Sequence, residues 1–398
     1  MKQLMHGTKI IYKAIKFIIF AGSLLLLSGC WDRIEMDELA IVTTAAIDKS
    51  EDDQVEVSLE VFIPKSMSGG SESGGGSSSA GTTMIMSNAG INIAEAVSKL
   101  QSEFPRSIFW GSCKVFIFSE DIAKDGIQNH LDFLLRDPNP RERAYIFISK
   151  GTAKQIIALS TILENYSSES IKKMADKGYG MKVTLLNLDE MLTEKDQAAA
   201  IPLLTINKQN TGSKKSSQLP KINGVAVFRK DQMIGTISRS TTRGLMWLRG
   251  EIKDYTINIK PENEKGEIAV MPVSTDINLI PRIQDGEWTM MVHIKTNGIT
   301  VQNSTTLDLN DPKSLRKTEE AYREKIEDRV SSAIKEAQQM KTDTLQFGDK
   351  FHKKYPKEWD KVKDYWEEVY PEVRTTFMIN AQISGQGYIN QSIQSKEQ

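Results

Sequence analysis

Cysteine and histidine are scarce in this chain of 398 residues, which holds two cysteines and four histidines. Two cysteines, Cys30 and Cys113, cannot build a disulfide scaffold. The histidines, His6, His130, His293 and His352, are far apart and none sits in HExxH or another ligand-spaced motif, so no metal site is expected. No Gly-Lys-Ser/Thr phosphate cradle and no GxSxG nucleophile elbow is present. Two SxxK tetrapeptides occur, Ser170 to Lys173 and Ser332 to Lys335, but neither SDN nor KTG accompanies them, and four-residue matches of this kind arise by chance. An excess of positive charge is missing too. With 51 basic and 52 acidic residues, the chain lacks the basic face that a nucleic-acid binder needs. Nor is there a long hydrophobic run: the longest, Phe17 to Leu27, falls well short of the roughly 20 residues that span a bilayer. What is left is a protein expected to have no catalytic residues, no cofactor and no metal.

That short run has its own meaning. Lys2, Lys9, Lys13 and Lys16 precede it without an intervening acid, which is the layout of a secretory leader. Leu27-Ser28-Gly29-Cys30 follows as a bacterial lipobox, with a hydrophobic residue three before the cysteine and small residues beside it. The Cys30 thiol is the nucleophile that accepts a diacylglyceryl group before cleavage. Two or three acyl chains anchor stably, each buried methylene contributing about 0.8 kcal/mol. An uncleaved anchor, or an ordinary leader with an incidental cysteine, is the competing reading. Residues 1–29 are thus expected as a lipoprotein signal peptide and Cys30 as the lipid attachment site, by palmitate or a similar acyl chain. The remaining chain carries 47 basic and 52 acidic residues. Cys113, in "SCKVFIFS", reads as core filling in a buried strand.

The body reads as α+β. Residues 39–48 form a buried strand, and "QVEVSLEVFIP" alternates Val55, Val57, Leu59, Val61 and Ile63, a strand with one face in a core. A Gly/Ser-rich stretch at 66–83 reads as a flexible loop. Helices are expected at 91–103, with Ile91 on the apolar side, at 126–137 and at 152–166, alternating with strands in "CKVFIF" and "AYIFIS". These make an N-terminal α+β domain over 30–205. Residues 206–222, polar with a Gly and a Pro, read as an interdomain linker. Beyond lies a C-terminal α+β region over 223–398, with a candidate break into two subdomains near 265, in which an antiparallel sheet is covered by long amphipathic helices. Asp285-Gly286 between alternating runs marks a hairpin. An apolar stripe from Leu315 through Tyr322, Ile326, Val330, Ala333 and Ala337 to Met340 marks a long helix. A second helix is expected from Pro356, with Trp359, Val362, Trp366 and Val369 inward and Tyr365 and Tyr370 at its rim, where an interface could use them.

"GCWDRIEMDELAIVTTAAIDK" (29–49) resembles the opening of the Ger(x)C family, the C subunits of spore germinant receptors. The likeness continues in order through "FLLRDPNPRERAYIFISKGTAKQII" (133–157), "NGVAVFRKDQMIGTI" (223–237), "TRGLMWLRGE" (242–251) and "AQQMKTDTLQFGDKFHKKYPKEW" (337–359). Two departures stand out. Ala45 and Ala46 occupy a segment where the family often carries glycine, and Gln346 replaces a glycine in the family's Asp-x-x-Gly-Phe-Gly, read here as Asp343 to Gly348.

The resemblance implies a three-domain α+β lipoprotein on the outer face of the inner spore membrane. It implies two integral partners, an A-type subunit with large soluble portions and a B-type subunit similar to amino-acid transporters. Together they sense small nutrients and trigger germination, this subunit being required but not catalytic. Cys30 is the one position whose chemical role transfers. A rival of another class is a substrate-binding lipoprotein that captures a nutrient itself and delivers it to a transporter-like partner; it needs a deep polar-lined pocket between lobes.

Overall fold

The computed structural model describes Lys16 and residues 38–62, 83–159, 166–193, 197–209, 217–252 and 255–385. Lys16 and Thr83 apart, the leader, Cys30 and the Gly/Ser loop expected at 66–83 lie outside the described residues. Two sheets organise the rest.

The first sheet has nine strands: β1 (Leu39–Lys49), β2 (Val55–Phe62), β3 (Thr83–Gly90), β4 (Ser107–Phe109), β5 (Val115–Ser119), β6 (Tyr145–Ser149), β7 (Ala198–Gln209), β8 (Ser217–Arg229) and β9 (Gln232–Ile237). Their order is β3-β2-β1-β5-β6-β7-β8-β9, with β4 pairing β1. The centre is parallel, β1 to β5 to β6 to β7, and both flanks are antiparallel hairpins. Parallel neighbours need crossovers, and helices supply them. α1 (Ile93–Glu103), α2 (Glu120–Asp125), α3 (Gln128–Arg136) and α6 (Leu185–Thr193) cover one face. α4 (Ala153–Ile157) and α5 (Ser167–Asp176) cover the other. β5 shows the consequence: Phe116 and Phe118 enter one core, Val115 and Ile117 the other, and all of its residues are buried. Covered strands of this kind lose the polar alternation of a half-exposed sheet. Cys113 is fully buried just before β5, and burial pushes its thiol up to about 12.

The second sheet has four strands in sequence order: β10 (Ile257–Ile259), β11 (Ile268–Gln284), β12 (Glu287–Asn303) and β13 (Arg374–Gly385). Asp285 and Gly286, both at positive φ, turn β11 into β12, as expected of that dipeptide. β13 returns parallel to β12, so this sheet is mixed, not antiparallel throughout. The long helix α8 (Pro312–Gln339) lies against it with Tyr322, Ile326, Val330, Ala333 and Ala337 buried. Asp311 caps α8, accepting from the Ser314 backbone N–H at 2.9 Å, and Pro312 fills the first turn where its missing N–H costs nothing.

Four expectations need correction. The described parts of the expected linker, 206–209 and 217–222, are strand: Ile206 to Gln209 pair with Ser217 to Pro220 and extend the β7–β8 hairpin. Backbone ladders form whatever the side-chain polarity, so a polar ribbon reads as a loop. The split near 265 falls in a turn between β10 and β11, which pair with one another. Helix α1 starts at Ile93, leaving Ile91 76 % exposed, because Asn92 caps it by accepting from the Glu95 N–H. The single helix expected from Pro356 is broken into α10 (Pro356–Trp359) and α11 (Trp366–Val369), with α9 (Phe347–Lys354) before them.

Helix α7 (Arg239–Leu248) joins the two sheets. Leu245, Met246, Trp247 and Leu248 share one core with Val225, Val227 and Ile237 of the first sheet and Val270, Val292 and Ile294 of the second. Its contact with α8 runs through Gly244, where a Cβ would stand 2.2 Å from the Arg329 carbonyl oxygen and 2.6 Å from Ala333 Cβ. Only glycine permits that approach.

Candidate functional site

The residue with an expected chemical role, Cys30, lies outside the described residues, but the covalent chain limits where it can be. Eight residues, 31–38, separate it from Leu39. Fully extended they reach roughly 30 Å. Register shows which end of the first sheet is within that reach. Leu39 stands opposite Ser107, Ile41 opposite Phe62, and Phe62 opposite Thr83, so the starts of β1, β3 and β4 and the end of β2 share one edge.

The other candidates do not come together. His130 is mostly buried beside Phe118, ring centres 6.3 Å apart, and burial pushes its pKa down. His293 lies on β12 and His352 on α9, its ring 6.0 Å from Trp359. Among the described residues no group of three or more His, Cys, Asp or Glu side chains could hold a metal. Ser332 of one SxxK tetrapeptide donates to the Asp328 carbonyl one turn back, an ordinary helix-surface bond. Among the described residues, no helix is long and apolar enough to cross a membrane.

Sequence reasoning missed the buried carboxylates. Glu60 of β2 is 4 % exposed. Its Oε2 accepts from Thr43 Oγ1 at 2.8 Å, Thr44 Oγ1 at 2.6 Å and Ser167 Oγ at 2.8 Å, and its Oε1 from the Ser167 backbone N–H at 3.1 Å. These bonds clamp β1, β2 and the start of α5. Asp48 of β1 accepts from the Ala153 and Lys154 backbone N–H groups at 2.7 and 2.8 Å, capping α4. Burial pushes its carboxyl above the usual range, against the pull of those two donors. Beside it Lys154 Nζ meets Glu56 Oε1 at 2.6 Å. The strict alternation of β2 points Glu56, Ser58 and Glu60 away from the first core; that face is covered in turn, so Ser58 and Glu60 are buried and Glu56 is half-buried.

A third buried carboxylate orders the tail. Asp343 accepts from the Phe347 N–H at 3.0 Å, the Gly348 N–H at 2.7 Å and Trp366 Nε1 at 3.0 Å, capping α9 and tying α11 to it. Trp359, Trp366 and Tyr370 are buried, with Trp359 and Trp366 ring centres 4.9 Å apart and Trp288 of β12 5.6 Å from Trp366. The aromatics expected inward are therefore core. Tyr365 is exposed as expected for a rim residue, but Tyr370, expected beside it, packs edge-on against Phe347. Gln346 takes the left-handed conformation, φ 58° and ψ 40°, that suits the glycine it replaces.

An open groove of about 790 Å³ runs between the start of α1 and α3, lined by Ile91, Ile93, Phe133 and Pro138 with Asn92, His130 and Arg136. It is an apolar cleft with a polar rim and no nucleophile–base pair.

The fold is a two-sheet α+β body whose buried carboxylates Asp48, Glu60 and Asp343 cap helices and clamp strands. Against known families, the N-terminal part, residues 32–206, matches the spore germination protein N-terminal domain, and residues 223–387 match the spore germination B3/GerAC-like C-terminal domain. The chain belongs to this Ger(x)C family of spore germination proteins. Spore germination protein KC of Bacillus subtilis (strain 168) is 26 % identical over 374 residues, 90 % of this chain and 92 % of that one. Spore germination protein B3 of the same organism is 23 % identical over 385 residues, 94 % and 99 % of the two chains. The crystal structure of the GerBC protein shares the fold with a TM-score of 0.54 at 19 % identity, covering 85 % of this chain and 96 % of that one. The two family matches end at 206 and resume at 223, yet the β7–β8 hairpin bridges that gap in one sheet.

Proposed function

We propose that this chain is the lipid-anchored, non-catalytic C subunit of a nutrient germinant receptor, held by acyl chains on Cys30 at the outer face of the inner spore membrane. It works there by joining A-type and B-type integral subunits. The observation that carries this reading is a lipobox cysteine eight residues ahead of a body related along most of its length to spore germination proteins. Anchoring by the sulfur turns a search through the spore volume into a search in the membrane plane, raising the effective concentration beside integral partners. The eight intervening residues keep Leu39 within roughly 30 Å of the acylated sulfur.

Cys30→Ala tests it directly. Mass spectrometry of the mature terminus should show acylation in the parent and none in the variant, and variant spores should germinate poorly on nutrients while responding normally to a non-nutrient trigger. Acyl-free spores that germinate at the parental rate would remove the anchoring role. A parent whose terminus carries no lipid would remove the anchor itself.

A further inference from the structure

Three arginines gather where α7, α8 and the approach to β10 meet, and no carboxylate among the described residues pairs with any of them. Arg243 of α7 stacks on the Tyr255 ring, its guanidinium carbon 3.5 Å from the ring centre, and donates to the Tyr255 hydroxyl. Arg329 of α8 approaches the same ring at 5.3 Å. Arg239, one turn before Arg243, lines with it a cavity of about 130 Å³. Two guanidinium nitrogens, Arg239 Nε and Arg329 Nη1, are buried without an acceptor. Glu251, the acidic residue closest in sequence to α7 among those described, is taken by Arg249 at 2.7 Å. Burial together with the neighbouring Arg239 and Arg329 charges holds Arg243 down at about 10. Gly180, also in the lining, packs so closely on Ile222 that a Cβ there would stand 2.4 Å from its side chain.

Converging guanidinium groups repel one another and leave strong donors unsatisfied, which a structural role alone does not explain. Planar forks beside a small cavity are the recognition device for oxyanions. We infer that Arg239 and Arg243, backed by Tyr255 and with the Arg329 charge beside the same ring, form a binding site for a phosphate-class oxyanion. The register sets this site well back from the Leu39 edge, and the oxyanion chemistry is shared by a free anion and a lipid headgroup. Ile222 stands opposite Leu204, and Leu203 aligns through Ile148 and Phe118 with Ile47, eight residues along β1 from Leu39. At about 3.3 Å per residue that is roughly 25 Å from the edge nearest the lipid anchor.

The test uses the mature acylated chain in phosphatidylcholine vesicles. Its thermal midpoint, followed as inorganic phosphate rises at constant ionic strength, should climb as linkage to a folded-state ligand requires. Arg243→Gln and Arg239→Gln should each weaken the apparent affinity about tenfold or more. Arg243→Lys, which keeps the charge but loses the fork and the stacking, should fall between them and the parent; it also stands in if Arg243→Gln does not fold. Replacing phosphatidylcholine by phosphatidylglycerol without added phosphate separates the sources: a midpoint raised there and lost in the variants assigns the site to a headgroup. A parent midpoint indifferent to both probes, or variants that respond like the parent, overturns the inference.

Discussion

The two sheets solve the burial problem differently. The first is covered on both faces, and the polar side chains that fall beneath its second layer are sewn into it: Glu60 by Thr43, Thr44 and Ser167, Asp48 by the start of α4. The second is packed on one face by α8 and the tail helices, while along β13 Arg374, Thr376, Met378 and Asn380 point outward and are exposed. A doubly covered sheet must satisfy every polar group it buries, because an unpaired buried donor or acceptor costs about 1–3 kcal/mol. A sheet with one open face can leave its polar residues in water and tolerate substitution there. Function that depends on surface variation thus has more freedom on the second sheet, and rigidity is concentrated in the first.

The largest effect is expected where the sheets are joined. Gly244→Val forces a branched side chain into the 2.2 Å gap to the Arg329 carbonyl and must drive α7 away from α8. Overpacking costs about 1–3 kcal/mol where neighbours can yield, and more against backbone, so a loss of about 3 kcal/mol or greater is expected. Denaturation followed by hydrogen exchange should show both sheets losing protection together, since Val225 and Val292 belong to one core. If the second sheet alone loosened, the shared core would not couple them.

A smaller and more local effect is expected inside the first sheet. Glu60→Ala strips the acceptor from three hydroxyls and one backbone N–H, some of which can turn to other partners, and should cost about 2–3 kcal/mol. Exchange protection should fall around Thr43, Thr44 and the start of α5 and hold at β12. Urea titration showing a loss below about 0.5 kcal/mol would mean that the clamp contributes little and that apolar layers alone hold α5 down.

How far the sequence discloses this design differs between the two regions for a physical reason. Period-two and period-3.6 patterns mark which residues face an apolar layer, so β1, β5, β12 and α8 are all legible from Val, Ile and Phe spacing. They carry no information on whether a second layer covers the other face, and Glu60 on its alternating strand reads as solvated. The β7–β8 ribbon is hidden for the complementary reason: Asn207 to Gln209 pair with Ser217 to Leu219 through backbone, to which composition is blind. The tail helices mislead because Trp359 and Trp366 fit a single 3.6-residue stripe, whereas Asp343 holds α9 and α11 through its own bonds and the chain between breaks. The arginine cluster is invisible to pattern, since Arg329 lies 86 residues beyond Arg243. The proposal for Cys30 is the opposite case: it rests wholly on local order, the Leu27-Ser28-Gly29-Cys30 pattern, and on no tertiary contact.

The finest distinction between the regions lies in that tail. Gln346 sits in the left-handed region, which costs an L residue with a side chain about 1–2 kcal/mol. Glycine there relieves the strain but adds freedom to the unfolded chain, worth about 0.4–1 kcal/mol in the other direction. Gln346→Gly is therefore expected to stabilise by about 0.5–1 kcal/mol. The gain should appear as a higher midpoint in the exchange of α9 and its neighbours, with the first sheet unmoved, because Asp343 already fixes the following N–H groups of Phe347 and Gly348. The converse substitution teaches more. Gln346→Val keeps the positive φ but adds a branch at Cβ, and it should destabilise the tail, since branched residues tolerate that conformation least. Equal stability of the Gly, Gln and Val chains would mean that the turn relaxes freely, and that the tail, unlike the clamped first sheet, is held by its aromatic packing and not by backbone geometry.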